Sequence, residues 1–336
     1  MIRIKYEDLL AKFQKILESR GFSKEHAFDA ATVFATNSLD GVYSHGVNRF
    51  PRIVGYLDNK KMDPKNILTK QMSFGALERY DGHRGFGPLN AKLAMDRACD
   101  LAEEYGVGIV ALGNNNHWLR GGTYGIQACN RGKIGICWSN TTANMPAWGA
   151  VDVKIGNNPF VLGIPRSNKE HVVIDCAMSQ YSYGKVEDTR LKGKMLPYPG
   201  GYDTNGNLTC DPVEIEKAHR FLPAGYWKGS GLSIALDLIA TVLTNANSVS
   251  EISTFDEEVG LSQVMIAIDP EKFNSIALND EIVDKIIADI KSSIPVCKDG
   301  VIYYPGELEL LTRKENLEHG IPVVESVLKK IDSFLK

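Results

Sequence analysis

A histidine and an arginine four positions apart, in Ser44-His45-Gly46-Val47-Asn48-Arg49, are the first residues of this sequence whose types and spacing could perform a reaction. A guanidinium grips a carboxylate through paired N–H donors. An imidazole beside it can hand a proton to the carbonyl oxygen of a 2-oxo acid while hydride reaches the carbon. In a helix the two would share a face, although Pro51 places the helix start near Asn48. The same string also reads as a capped helix start in which His45 satisfies a loop carbonyl. A second cluster, Gly113-Asn114-Asn115-Asn116-His117-Trp118-Leu119-Arg120-Gly121-Gly122, follows the apolar run Val107–Leu112, the position where open α/β sheets place ligand loops. Its amides, imidazole, indole and guanidinium suit a polyhydroxylated ligand, or else form a turn plugged by an aromatic ring. Ser139-Asn140-Thr141-Thr142 adds hydroxyl and amide donors at another strand end.

For a phosphate-bearing cofactor the better candidate is Trp227-Lys228-Gly229-Ser230-Gly231, which opens into the apolar run Leu232–Leu243. Amides at a helix start with an ammonium beside them attract anions; a tight turn with a solvated Lys228 reads equally well. Gly106-Val107-Gly108-Ile109-Val110-Ala111 spells G-x-G-x-x-A. It follows a helical pattern and opens a strand, the reverse of what that fingerprint requires. Glu187, Asp188, Glu214 and Glu216 sit in charged, loop-like surroundings and read as solvated rather than as a glycosidase pair. The six cysteines form no C-x-x-C pair and have no histidine at ligand spacing, so neither a metal site nor a disulfide framework is expected.

These groups need elements to hold them. Residues 1–70 read as a helical lobe. Leu9, Leu10, Phe13, Ile16 and Leu17 recur at helical period, Ser23 opens a second helix, and a third covers about Asn48–Lys60. Residues 71–310 read as a mixed α/β body. Its strands are Val107–Leu112, Ile134–Ser139, Phe160–Ile164, Val172–Asp175 and Ser262–Ile268, with helices at Leu89–Tyr105 and near Asp280–Lys291. Lys192–Asp211 is expected as a long surface excursion. Residues 311–336 close the chain with a helix from about Val323 to Leu335 that packs back on the lobe. Leu232–Leu243 carries Asp237 and is too short to cross a bilayer, so it is expected as a buried helix and no membrane partner follows.

The charge balance, 38 Lys+Arg against 41 Asp+Glu, gives a formal net charge of −3. That excludes the basic footprint of a dedicated nucleic-acid binder. With 43% hydrophobic and 24% charged residues the chain has the apolar material for a sizeable core. Charges at Arg3, Lys5, Glu7 and Asp8 interrupt the apolar run of a signal peptide, so a cytoplasmic location is expected.

The segments Gly41–Arg52, Asn116–Gly122, Ile134–Trp138 and Gly225–Gly231 together resemble the malate/L-lactate dehydrogenase family, whose members bind a dinucleotide without the usual Rossmann fold. The similarity runs over nearly the whole chain. It implies a mixed-sheet, non-Rossmann NAD-binding body with an N-terminal helical lobe. The activity implied is reduction of a sugar-derived 2-oxo acid at C2 by NAD(H), with NADP(H) tolerated, in a homodimer. By resemblance His45 is the proton donor, and His117 is the second candidate because other members give acid–base work to the histidine of the N-H string. Ser44, Arg49, Arg120 and Thr141 would surround the substrate. Cofactor contacts implied are His171, Val172, Val173, Ile174, Asp175, Cys176 and Ala177, the pair Trp227-Lys228, and the turn Gly306, Glu307 and Leu308. Two alternatives stay open: another 2-hydroxy-acid dehydrogenase, acting on malate, lactate, sulfolactate or ureidoglycolate, and a sugar-acid binding protein without catalysis.

Overall fold

The structure is a computed structural model that describes residues 2–335. Its N-terminal part comprises β1 (Ile2–Ile4), α1 (Tyr6–Glu18), α2 (Lys24–Leu39), a 3₁₀ turn at Tyr43–His45 and α3 (Phe50–Asp58). Leu9, Phe13, Ile16 and Leu17 form one buried stripe along α1. Ser23 accepts a hydrogen bond from the His26 amide and so starts α2. One phenylalanine from each helix locks the three together, Phe13 stacking on Phe50 at 4.0 Å while Phe34 meets both edge-on. The third helix is shorter than the sequence implied. It begins at Phe50 with Pro51 in its first turn, because residues 46–49 are used in the turns that carry His45.

The body continues with β2 (Thr69–Phe74), β3 (Leu77–Asp81), α4 (Gly87–Tyr105), β4 (Val107–Asn116), α5 (Gly122–Asn130), β5 (Ile134–Ser139), β6 (Ala143–Pro146), β7 (Val153–Gly156), β8 (Phe160–Ile164) and β9 (Val172–Cys176). Next come α6 (Tyr183–Leu191), β10 (Gly201–Tyr202), β11 (Leu208–Thr209), α7 (Pro212–Ala218), α8 (Trp227–Thr244), α9 (Val249–Ile252) and β12 (Val259–Ile268). The chain ends with α10 (Ile276–Lys291), α11 (Glu307–His319), β13 (Ile321–Val323) and α12 (Glu325–Ser333).

Seven strands form one mixed sheet in the order β2-β3-β4-β12-β5-β8-β9. Only β3 and β4 run parallel, joined by α4 as crossover, and the remaining neighbours are antiparallel. This is the non-Rossmann mixed α/β architecture expected, and the glycines of Gly106–Ala111 do what their order implied. Gly106 ends α4 in the left-handed conformation and β4 follows at once. The lobe and the end of the chain share a core: Ile321, Val323 and Ile331 pack with Leu9, Phe13 and Phe50, and β1 pairs with β13 from Ile2↔Val323 to Ile4↔Ile321.

Three expectations need correcting. The Leu232–Leu243 run lies within α8 but is not buried all round. Ser233, Leu236, Ala240 and Thr244 face the sheet, whereas Leu238 and Val242 are 60% and 75% exposed on the opposite face. An all-apolar helix signals burial, and a single chain covers only half of this one. The expected loop Lys192–Asp211 contains the hairpin β10–β11. Glu307 and Leu308 belong to no simple turn: they open the 13-residue α11, whose sequence is too polar to show an apolar face, Asn316 being its one buried residue.

Candidate active site

His45 is delivered by the end of α2. The helix stops at Asp40, Gly41 takes φ +82°, and the 3₁₀ turn brings the imidazole round. Asn37 Nδ2 donates to the His45 carbonyl at 3.0 Å, and Ser38 Oγ receives the Val47 amide at 2.8 Å. A Cβ on Gly46 would lie 2.3 Å from Ser38 Oγ, so only glycine allows this turn to sit down on α2.

His117 arrives from the other side. β4 continues through Asn114, Asn115 and Asn116, four residues beyond its apolar run, because each asparagine side chain finds partners across the chain. The first residue past the strand is His117. Leu119, at φ +69°, bends the chain so that its amide donates to His117 Nδ1 at 3.0 Å. Thr123 Oγ1 donates to Asn37 Oδ1 at 2.9 Å, tying the two backbone segments together. The result is a parallel imidazole pair, ring centroids 5.8 Å apart and 14° between planes.

The two rings are chemically unequal. Burial, with smaller contributions from His117, Arg49 and Arg120, holds His45 down at about 3. Burial, then Arg49 and Arg52, holds His117 at about 3. Both are therefore neutral near pH 7. In His117 the Leu119 amide occupies Nδ1, so the ring proton sits on Nε2 and that nitrogen is a fixed donor. His45 Nδ1 instead faces Ser44 Oγ at 3.0 Å. A hydroxyl either donates or accepts, so His45 can gain or lose a proton without losing its partner.

Beside His117 lies a pit of about 20 Å³, with Arg49, Tyr56, Lys61, Asn116, Glu257 and Glu258 among its lining residues. Arg49 Nε and Asn116 Oδ1 are buried there without a hydrogen-bond partner among the described residues, and unpaired buried polar atoms are what a binding site leaves for its ligand. Glu258 was not legible in the sequence, where Asp256-Glu257-Glu258 looks like a solvated charge run. The ladder register places it here: Val259 opposes Asn116, so the preceding residue comes beside His117. Thr142 N donates to Glu258 Oε1 at 3.2 Å, and burial raises the carboxyl above its usual range.

Two expected substrate contacts are occupied by the protein itself. Arg120 is 5% exposed and pairs with Asp40 at 2.5 Å, and Arg313 holds the other oxygen of the same carboxylate at 2.7 Å. Thr141 Oγ1 bonds the side chains of Asn157 and Asn158 and the Thr142 carbonyl. Its segment reaches the pit only indirectly, through the Thr142 amide that holds Glu258. Among the carboxylates, Asp188, Glu214 and Glu216 pair with Lys192, Lys217 and Arg190.

The three segments expected to contact the cofactor converge along β9, at the sheet edge. The Val173 amide donates to Pro305 O at 3.0 Å, seating the Gly306 turn, and Ala224 N donates to Met178 O at 2.8 Å, seating the loop before Trp227. Asp175 accepts from the Gly122 amide at 2.7 Å, which joins β9 to the loop that carries His117. Gly306 is left-handed, and a Cβ on it would press on Val173 N at 3.2 Å. The helix-start reading of Trp227–Gly231 needs a correction: the Lys228 and Gly229 amides are spent on Gly225 and Ala224 carbonyls. The exposed Trp227 and Lys228 side chains remain available. His171 is also turned inward, its ring nitrogens taken by the Arg166 amide and Asn130. Glu307 pairs with Lys291 and caps Tyr304 N.

Known proteins resemble this chain along its whole length. The 2,3-diketo-L-gulonate reductase of Salmonella typhimurium is 44% identical over 334 residues, 99% of this chain and 100% of that protein. The enzyme of the same name from Pasteurella multocida matches to the same extent. Among solved structures, a sulfolactate dehydrogenase from Methanocaldococcus jannaschii superposes with a TM-score of 0.89 at 28% identity, covering 99% of this chain and 96% of that one. The malate dehydrogenase of Entamoeba histolytica shares the fold with a TM-score of 0.93 at 22% identity, covering 99% and 97%. The sequence model of malate/L-lactate dehydrogenases matches residues 4–332, and the chain belongs to that family.

Proposed function

We propose that the chain is a cytoplasmic, homodimeric 2-oxo-acid reductase that converts 2,3-diketo-L-gulonate to 3-dehydro-L-gulonate with NADH. The observation that carries this reading is the His45–His117 pair beside Arg49, whose buried Nε has no hydrogen-bond partner among the described residues. The full-length relatives named for that substrate favour it over malate or sulfolactate. The nicotinamide cofactor, when bound, supplies the hydride that adds to C2. It would be held by the β9 edge from Val172 to Ala177, by Trp227 and Lys228, and by the backbone of Gly306–Leu308. The Leu308 amide there has no acceptor among the described residues.

Arg49 binds the substrate carboxylate, with Arg52 adding positive field. His117 Nε2–H donates to the C2 carbonyl oxygen, and His45 delivers the proton to it. A proton affinity as low as that of His45 in the unliganded site fits this role once the charges are counted. Arg49 and Arg120 both lower it, and a substrate carboxylate on Arg49 offsets that field and draws a proton onto the ring. In the oxidation direction the neutral imidazole is already the base. Ser44 keeps the ring oriented. Arg120 acts through Asp40, fixing the loop on which His117 sits.

The homodimer is supported by two uncovered apolar faces. These are Leu238 and Val242 on α8, and Ile282, Ile286 and Ile290 on α10, a helix with no buried residue. No helix among the described residues is long and apolar enough to cross a membrane. The test is a panel of 2-oxo acids with NADH and NADPH. The reading predicts the highest kcat/KM for 2,3-diketo-L-gulonate with NADH; preference for oxaloacetate or sulfopyruvate, or NADPH alone, would replace it.

A further inference from the structure

Four charged side chains line the pit beside His117, and their pairing is uneven. Lys61 and Glu257 neutralise each other at 2.5 Å, and the Tyr56 hydroxyl accepts from Arg52 at 2.7 Å. Arg49 and Glu258 are left over. They share the cavity and each feels the other's charge across it, but among the described residues neither reaches an opposite charge at ion-pair distance. Among the described residues Arg49 makes no side-chain hydrogen bond, and Glu258 accepts only the Thr142 amide, at one carboxylate oxygen.

A guanidinium and a carboxylate held apart across a small cavity complement a hydroxyl group. Its oxygen accepts an N–H from the one while its O–H donates to the other. The volume of about 20 Å³ admits one water-sized group. Arg49 has N–H donors to spare beyond those that hold the substrate carboxylate; a second carboxylate in the pit would meet the like charge of Glu258, and a methyl group would leave Glu258 unsatisfied. Glu258 cannot swing away to avoid either, because the Thr142 amide and the β12–β4 register fix it next to His117.

We propose that this pit is a hydroxyl-reading subsite in which Glu258 determines specificity. It selects 2-oxo acids that carry a hydroxyl along the chain over dicarboxylic and simple alkyl 2-oxo acids. The inference rests on the reductase reading above and names the members of that substrate class the site admits.

The experiment compares wild type, Glu258→Gln and Glu258→Asp with 2,3-diketo-L-gulonate, oxaloacetate and pyruvate under saturating NADH, with thermal melts alongside. Glutamine keeps the shape and an oxygen for the Thr142 amide but removes the charge. The expected result is a fall of about ten-fold or more in the kcat/KM ratio of diketogulonate to oxaloacetate in Glu258→Gln. Most of it should lie in KM for diketogulonate and in a gain on oxaloacetate, and Glu258→Asp should recover part of the ratio. A common loss on all three substrates marks a structural role and overturns the proposal, as does an unmoved ratio in a wild type that reduces diketogulonate. A wild type inactive on every 2-oxo acid refutes the reductase reading itself, and the subsite with it.

Discussion

Replacing Asp40 by Asn tests how the segments that carry His45 and His117 are held together. Asp40 ends α2 four residues before Ser44. Its carboxylate takes Arg120, three residues after His117, and Arg313 from α11. The Asp40 and Arg120 side chains are 2% and 5% exposed, so water cannot replace the lost charge. Removing one member of a buried pair leaves the other uncompensated, at a cost of about 3–5 kcal/mol. Asp175, 4.0 Å from Arg120, offsets only part of this. With an unfolding entropy near 2 cal/mol/K per residue, that cost predicts a fall in Tm of roughly 4–7 °C for a chain of this size. Arg313 is 35% exposed, and its loss leaves Asp40 paired with Arg120, so Arg313→Gln should cost only about 1 kcal/mol or less. Calorimetry gives the melts, and kcat should fall with Asp40→Asn because both imidazoles lose their common anchor. A Tm unchanged in Asp40→Asn, or an equal loss in Arg313→Gln, would refute the buried-triad reasoning.

Three further outcomes are expected. Ser44→Ala removes the hydroxyl 3.0 Å from His45 Nδ1 and should lower kcat about ten-fold with little change in Tm; an unaltered kcat would remove Ser44 from the positioning of the ring. His45 and His117 sit at about 3 in the fold against about 6.5 unfolded. The unfolded chain therefore binds more protons below pH 6.5, and stability present in full above that pH drains away toward pH 3. Melts from pH 8 to 4.5 should show that slope, and it should be shallower in a His45→Ala, His117→Ala double variant. If the proposed dimer forms through the exposed face of α8, Leu238→Glu should convert it to monomer in analytical ultracentrifugation; a wild type already monomeric would contradict that proposal.

The residues proposed for catalysis were conspicuous in the sequence where local chemistry is dense. His45, Arg49 and His117 stand out because glycine, asparagine and charge surround them, and the fold puts the two imidazoles together. The strands Ile134–Ser139 and Phe160–Ile164 were legible to the residue, since short apolar runs end in turn signals there. Long-range pairing left no such trace. Arg120 looks free in the sequence, and its partner lies 80 positions away. Glu258 looks solvated until the β12 register sets it across from the His117 loop. Likewise α8 looks buried because hydropathy reports that a face must be covered, without saying whether the same chain covers it.

The central claim, that His45 delivers the proton while His117 is a fixed donor, is tested most directly by NADH oxidation with 2,3-diketo-L-gulonate in His45→Gln and His117→Gln, with NADH binding followed by fluorescence. Loss of general acid catalysis predicts a fall in kcat of roughly 10²–10⁴ for His45→Gln with NADH binding retained. His117→Gln, which keeps an N–H donor, should lose only about ten-fold. Near wild-type turnover in His45→Gln, or the larger loss in His117→Gln, would contradict the account.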